Sequence, residues 1–453
     1  MRVNIRKGFD INLKGKAAKT LVEDVRPNLY ALQPTDFVGI SRPKILVQPG
    51  DNVQAGTPLL FDKFNPEVMF TAPVSGEVTE IERGDRRKPL AIKILADKEL
   101  SYVSFPKYDL GSLAGVSAEE ARSSLLKSGV WVNLIERPFG LVANPEHTPK
   151  AIFISGFDSA PLAPDYEFVF KGQEQYLQAG IDILQKLTPG KIHISTHTQQ
   201  GAGSIFKKLQ KVTHHEFAGP HPAGNVGVQI HQIDPINKGE YVWTVTPYGL
   251  QQIGRLFLDG RYDACKVIVL AGSELNQPQY YNIINGAQLK PLLQGNVNNS
   301  NVRVISGNVL TGTKTSEEGF LGFYHTQVSV LPEGNHHEFL GWILPSTKKL
   351  SFQRAFGLLS FLNGKNQEYV MDTNLHGEER AFVQTGVFEQ VLPMDIYPTF
   401  LLKAILSRDF EAMEELGIYE VLEEDFALCE FVDVSKMEIQ ALIREGLEAL
   451  QNA

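Results

Sequence analysis

Along residues 43–96 apolar and polar positions alternate in short runs broken by Gly and Pro, the pattern of hairpins buried on one face. V-Q-P-G-D-N-V-Q-A-G-T-P-L-L places Gly50 and Gly56 at turns. Asp62-Lys63 falls at an exposed hairpin tip, and Ala72-Pro73 with Gly76 turns the chain into the next strand. A flattened barrel sandwich of the lipoyl or biotinyl carrier type is expected over residues 1–105, including the segment before it. The period then changes. Ala151-Ile-Phe-Ile-Ser-Gly is a buried strand, and Leu177, Ile181, Leu184 and Leu187 recur at helical spacing before Gly190. Further strands are expected at Lys191-Ile-His-Ile-Ser and V-T-H-H-E-F, a short helix at I-F-K-K-L-Q, and a Pro-started, Gly-stopped helix up to Gly260. Strand and helix in alternation argue for a Rossmann-like α/β domain over 106–260.

Beyond Gly260 the strands around one short helix suit a β-grasp module over 261–332, followed by a β-rich connection over 333–380. A helical domain over 381–453 closes the chain. Ser435 and Glu438 have the spacing of a capping box before the last helix. From Asp409 to Ser435 there is no Lys or Arg among frequent Asp and Glu; the plain expectation is a solvated acidic face, and the sharper one a dock for a basic partner.

A chain of 453 residues exceeds one core. Its net charge of −9, with no basic stripe, excludes a nucleic-acid partner. Two cysteines, Cys265 and Cys429, make no disulfide framework and point to the cytosol. The opening residues have no apolar core of a signal peptide, and no run approaches the ~20 apolar residues that cross a bilayer.

Five features invite chemistry. Lys63 sits where a carrier domain bears its swinging arm, but ten residues separate it from Pro73 and Pro66 intervenes, a register too long for an acylating enzyme, so it is expected unmodified. G-A-G-S from Gly201 follows a strand and precedes a helix, with Glu216 ending the next strand, as in a dinucleotide fold. However, Phe206 stands where the third glycine is required. His193, His197, His214, His215, His221 and His231 cluster in sequence without the ligand spacing of a zinc motif. G-P-H-P-A-G-N-V-G from Gly219 is stiff at Pro and bent at Gly: Gly219, Pro220, His221, Pro222 and Gly224 form either a rigid connector or a candidate subunit-contact loop. Cys429 is one of only two cysteines, so an iron–sulfur cluster, which takes four thiolates, cannot be held wholly by this chain.

Several stretches together resemble the NqrA family, the A subunits of the sodium-translocating NADH:quinone oxidoreductase (Na(+)-NQR). They are K-F-N-P-E-V-M-F-T-A-P-V-S-G from Lys63, the Gly219 loop, D-P-I-N from Asp234, R-V-I-S-G-N-V-L-T-G from Arg303, H-T-Q-V-S-V-L-P-E-G from His325, F-L-G-W-I-L-P from Phe339, V-L-P-M-D-I-Y-P-T-F-L-L from Val391 and E-D-F-A-L-C-E-F-V from Glu424. That family is similar in turn to the C subunit of Rnf complexes and to the flavin-bearing subunit of respiratory complex I. Those relatives carry a glycine-dense loop for flavin and NADH phosphates; S-G-V-W-V-N-L-I-E-R-P-F from Ser128 stands in its context, where Trp131, Val132 and Ile135 would block a cofactor.

The resemblance implies a peripheral protein on the cytoplasmic face of the bacterial inner membrane. It would belong to a six-subunit translocase that reduces ubiquinone to ubiquinol and exports Na+. The other five subunits, the membrane ones above all, would be its partners, with ubiquinone a further candidate partner, and would hold the flavins and iron–sulfur groups used with NADH and ubiquinone. This chain would have no catalytic, cofactor or metal residues of its own and would act in assembly or in supporting quinone reduction. The alternatives are a free-standing NADH/flavin dehydrogenase and a carrier protein modified at Lys63.

Overall fold

The computed structural model describes residues 1–453 except 24, 41, 340–348, 351, 353–366, 384–385 and 453. Most of the F-L-G-W-I-L-P motif and much of the 333–380 connection therefore lie outside the described residues. Of that connection, described residue Tyr369 forms a single bridge with Leu13.

The carrier-like domain is a sandwich of two small sheets. Leu29–Leu32, Pro89–Ala96, Gly76–Arg83 and Asn52–Val53 form one; Pro43–Ile45, Pro58–Asp62 and Met69–Thr71 form the other. Alternation puts Val78, Ile92 and Ile94 inside. Gly76 is irreplaceable on geometry: its φ is +149°, and a Cβ there would lie 2.0 Å from the Leu95 carbonyl oxygen.

The α/β domain has a seven-stranded sheet. In spatial order its strands are Arg2–Asn4, Thr213–Ala218, Lys191–His197, Ala151–Ser155, Val242–Thr244, Ile135–Arg137 and Leu141–Val142. The first five are parallel, Ile135–Arg137 runs against them, and Leu141–Val142 pairs antiparallel with Ile135–Arg137. On the central strand, Ile152 and Ile154 join the core with helices Glu174–Leu184 and Pro247–Asp259, while Ala151 and Phe153 pack with helix Val226–Ile233 on the other side. The layers are those of a doubly wound sheet. The two helices on the first face touch through glycine: a Cβ on Gly254 would lie 1.9 Å from the Tyr176 carbonyl oxygen, and one on Gly180 2.4 Å from that of Leu250. Gly254→Ala is therefore expected to push the helices apart and cost on the order of 1–3 kcal/mol, more than the gain in helix propensity. A raised denaturant midpoint would refute this.

The β-grasp module contains a six-stranded sheet in the order Thr313–Thr315, Val302–Ser306, Gln327–Pro332, Cys265–Ala271, Gln279–Ile284 and Ala18–Val22, with the short helix Lys290–Leu293. Two strands thus leave the 1–105 unit that the sequence suggested: Arg2–Asn4 edges the α/β sheet and Ala18–Val22 the β-grasp sheet. Each supplies backbone donors and acceptors to an otherwise open edge, a tertiary choice that local pattern does not encode. Where the barrel meets the β-grasp module, Phe37 packs on Phe70, Phe323 and Tyr324, and half-buried Asp36 accepts from the Phe323 N–H.

The C-terminal helices are Phe388–Val391, Pro398–Ser407, Phe410–Glu415, Ala427–Val432 and Ile439–Gln451. The capping box expected at Ser435 does not form. Asp433 takes the Ser435 and Met437 N–H groups, Ser435 Oγ donates to the Ala381 carbonyl, and the helix starts at Ile439 without a side-chain cap. The Asp433 carboxylate out-competes the hydroxyl for the turn.

Candidate functional site

In an open parallel sheet ligands bind beyond the carboxyl ends of the strands, where strand order reverses. Here that place lies beyond Ala151–Ser155, beside a cleft of about 400 Å3 whose lining includes Asp10, Lys16, Asp158, Ser159 and Leu162. The chain lays its own backbone across the neighbouring strand ends. Ile5 N donates to Ala218 O at 2.7 Å, Phe9 N to His221 O at 2.8 Å, and His221 N to Asp10 Oδ1 at 2.8 Å. Gly8 lies so close that a Cβ would meet the His221 carbonyl oxygen at 2.2 Å.

The G-A-G-S loop does not have the geometry of a phosphate cradle. A Cβ on Gly201 or Gly203 would meet nothing within 4 Å, so no close backbone approach requires glycine at either position. The helical turn after it, Phe206–Lys208, is three residues long and offers no helix dipole of consequence. Glu216, in the position of a ribose-binding acid, is paired with Lys207 at 2.7 Å.

The Ser128 stretch is part of the core. Trp131 is fully buried; its Nε1 donates to the Ala143 carbonyl at 2.7 Å, and its ring meets Trp243 edge-on at 5.4 Å. Trp243 Nε1 donates to Glu136 Oε2 at 3.0 Å. Val130 and Val132 are buried beside Trp131, and Ile135 is half-buried in strand Ile135–Arg137. Gly129 at φ +77° ends the preceding helix, and a Cβ there would strike Thr71.

The Gly219 loop turns inward. His221, Pro222 and Ala223 are buried, Pro220 and Gly224 half-buried, and Gly219 exposed. The Ser159 hydroxyl accepts from the Gly224 N–H at 2.8 Å and lies 3.0 Å from His221 Nδ1. The buried side of the loop clamps residues 5–10 onto the sheet through His221, while Gly219 and parts of Pro220 and Gly224 face outward. Burial pushes the His221 imidazole down to about 4. Unfolded, it takes a proton near pH 6.5. Between these values the unfolded chain binds the extra proton, so His221's share of stability is present above about pH 6.5 and lost as pH falls toward 4. His221→Gln removes that share, up to ~3 kcal/mol, so the melting-temperature gap between parent and variant is expected to narrow as pH falls from 7 to 4. A gap that is constant with pH would refute the assignment.

The other histidines have ordinary partners. His193 Nδ1 meets His215 Nε2 at 2.9 Å, and His193 stacks on Phe153. His214 Nε2 contacts the Leu209 carbonyl. Among the described residues no group of His, Cys, Asp and Glu could hold a metal ion. Cys429 is buried and its thiol raised by burial; burial and Asp263 push the Cys265 thiol up to about 12.

The acidic run is not merely a solvated face. Arg137, 1% exposed, donates NH1 to Asp425 at 3.1 Å and NH2 to Glu424 at 2.7 Å; Asp425 is fully buried, while 43% of the Glu424 side chain remains exposed. Both acids lie at the start of helix Val226–Ile233, where Asn225 Nδ2 donates to the Glu424 carbonyl and a Cβ on Gly227 would come 2.3 Å from Asp425 Oδ2. The helix's positive end adds to the pull of Arg137. Glu420 accepts from His231 Nδ1 at 2.6 Å, Glu423 pairs with Arg444, and Glu414 binds Lys238 at the surface. The basic partner of much of the run is this chain itself. A side-chain pair spanning 288 residues of sequence leaves no local signal.

Lys63 is exposed on the connection between strands Pro58–Asp62 and Met69–Thr71, next to Phe64, which is 65% exposed.

Residues 3–97 match the NqrA N-terminal barrel-sandwich hybrid domain, 116–262 the NqrA second alpha/beta domain and 267–317 the NQRA C-terminal domain. The A subunit of the Na(+)-translocating NADH-quinone reductase of Serratia proteamaculans is 39% identical over 456 residues, covering 99% of both chains. The chain belongs to the NqrA family, the A subunits of the Na+-translocating NADH-quinone reductase. NqrA members from Yersinia pestis and Neisseria meningitidis serogroup A are each 37% identical, again over 99% of both chains. A solved NAD+-reducing [NiFe]-hydrogenase in the air-oxidized state matches 78% of this NqrA-family chain and 67% of its own at 11% identity and a TM-score of 0.38, too weak a likeness to bear on function. Among the described residues no helix of this family member is long and apolar enough to cross a membrane.

Proposed function

We propose that the chain is the peripheral NqrA component of the sodium-pumping reductase on the cytoplasmic face, with no redox group of its own, acting in assembly and in support of quinone reduction by its partner subunits. The observation that carries this reading is the Trp131 plug: an indole, two valines and a Trp–Trp contact fill the place where the resemblance to flavin-bearing relatives puts a glycine loop. The residues 5–10 that cover strand ends and the chain's total of two cysteines support it. The test joins three measurements on the purified chain: visible absorbance and iron content, intact mass, and NADH titration. A colourless protein of unmodified mass with at most weak NADH binding is expected. Stoichiometric flavin or low-micromolar NADH affinity would support the dehydrogenase alternative, and added mass at Lys63 the carrier alternative. Reconstitution of the remaining subunits with and without this chain tests the supporting role by quinone reduction.

A further inference from the structure

The hairpin tip at Lys63 belongs to a basic patch that none of the intramolecular docks uses. The tip follows Asp62 and contains Phe64; Lys63 N contacts the Arg42 carbonyl at 3.4 Å, which ties the tip to the start of strand Pro43–Ile45. A second tip, Arg83 to Lys88 between strands Gly76–Arg83 and Pro89–Ala96, reaches the same place. One cleft of about 710 Å3 has Pro43, Phe64, Asn65 and Lys88 in its lining, together with Glu423, Arg444 and Glu448 of the C-terminal segment. Residues 42–44, 62–67 and 83–88 together hold seven basic against three acidic side chains in a chain whose net charge is −9.

Some surface lysines elsewhere, Lys93, Lys150, Lys207, Lys211, Lys238 and Lys290, are paired with carboxylates, while others such as Lys107 and Lys171 stand singly in no ion pair of the described residues. Among the described residues, Arg42, Lys63, Arg86, Arg87 and Lys88 are all exposed, and none has a carboxylate within ion-pair distance. Phe64, next to Lys63 in the chain and 65% exposed, lines the same cleft as Lys88 and as Val38, 39% exposed. An aromatic ring among unpaired, extended cations fits the boundary of an anionic bilayer, where the ring enters the headgroup layer and each cation gains from the surface potential. An acidic protein surface would instead favour fixed pairing geometry, which side chains without local partners do not provide.

We propose that this end of the barrel sandwich rests on anionic phospholipid headgroups, with Phe64 inserted and Arg42, Lys63, Arg86, Arg87 and Lys88 against the phosphates. The contact adds a direct lipid footing to a protein held by its partners, and it is measured on the isolated chain, so its failure leaves the family assignment untouched.

The test is flotation of the purified chain with vesicles of phosphatidylglycerol and phosphatidylcholine, and with phosphatidylcholine alone. Binding to the anionic vesicles only, weakened by salt, is expected. Replacing Arg86, Arg87 and Lys88 together with Ala is expected to lower the partition coefficient on the order of a hundredfold, with the melting temperature unchanged because the tip is exposed. Phe64→Ser is expected to weaken binding at every salt concentration. Equal binding to neutral vesicles, no binding to anionic ones, or a triple variant that binds like the parent would overturn the proposal. Retention on an acidic polypeptide resin without vesicle binding would also overturn it and assign the patch to a protein partner.

Discussion

Replacing Arg137 with Met is expected to cost about 3–5 kcal/mol, among the largest losses open to a single substitution here. The change removes one member of a buried charge set and leaves Asp425, fully buried, with the Leu422 N–H and the helix end at Val226 as its remaining compensation. The set is already incompletely satisfied, because Arg137 Nε and Asp425 Oδ1 have no partner among the described residues. The damage should concentrate at the seam between the α/β domain and the C-terminal helices. Limited proteolysis is expected to release fragments ending near Glu423–Phe426 before the barrel is cut. Changing Arg137→Met together with Asp425→Leu should recover much of the loss, since an apolar pair of similar volume needs no desolvated charge. An Arg137→Met chain with the parent's melting temperature and proteolytic pattern would show that the pair does not hold the seam.

Trp131→Ala is expected to cost a further ~3–5 kcal/mol in its own background and to gain nothing in function. The indole fills the core between the sheet and helix Pro247–Asp259, gives the hydrogen bond to Ala143 and stacks edge-on against Trp243. Removing it opens a cavity against Trp243, in a stretch without the glycine-dense run that lets a backbone approach phosphate. NADH binding should therefore stay as weak as in the parent while the denaturant midpoint falls. A variant that binds NADH at low micromolar concentration would mean that the tryptophan merely occludes a competent site, and the reading of this protein as free of cofactor would fail.

Features governed by local sequence are readable from it directly. The strand Ala151–Ser155, the helix Glu174–Leu184 and the Pro-started helix ending at Gly260 follow from period, cap and breaker. The burial of Trp131 and Val132 is equally legible, because large apolar side chains in a short run belong to a core. Features governed by distant partners are not. Nothing near Asp425 announces Arg137, and an acidic run reads as solvent-facing until its cations are placed. Ser435 and Glu438 have capping spacing, but Asp433 two residues earlier competes for the same amides. The Gly219 loop looks like a surface connector because Pro and Gly mark turns without telling which side of the turn is covered.

The edge strand Arg2–Asn4 has a consequence for how the protein is made. It leaves the ribosome ahead of its pairing residues, Glu216–Ala218, which follow after roughly ten to forty seconds of synthesis. The barrel can close in the meantime, leaving a tethered, unpaired strand at its entrance. Ala18–Val22 waits longer still, for Gln279–Tyr281. The emerging chain thus carries two open seams until its middle is complete, when a single thread stitches three domains together. A gene cut after the barrel would yield two products, each lacking the edge that the other carries.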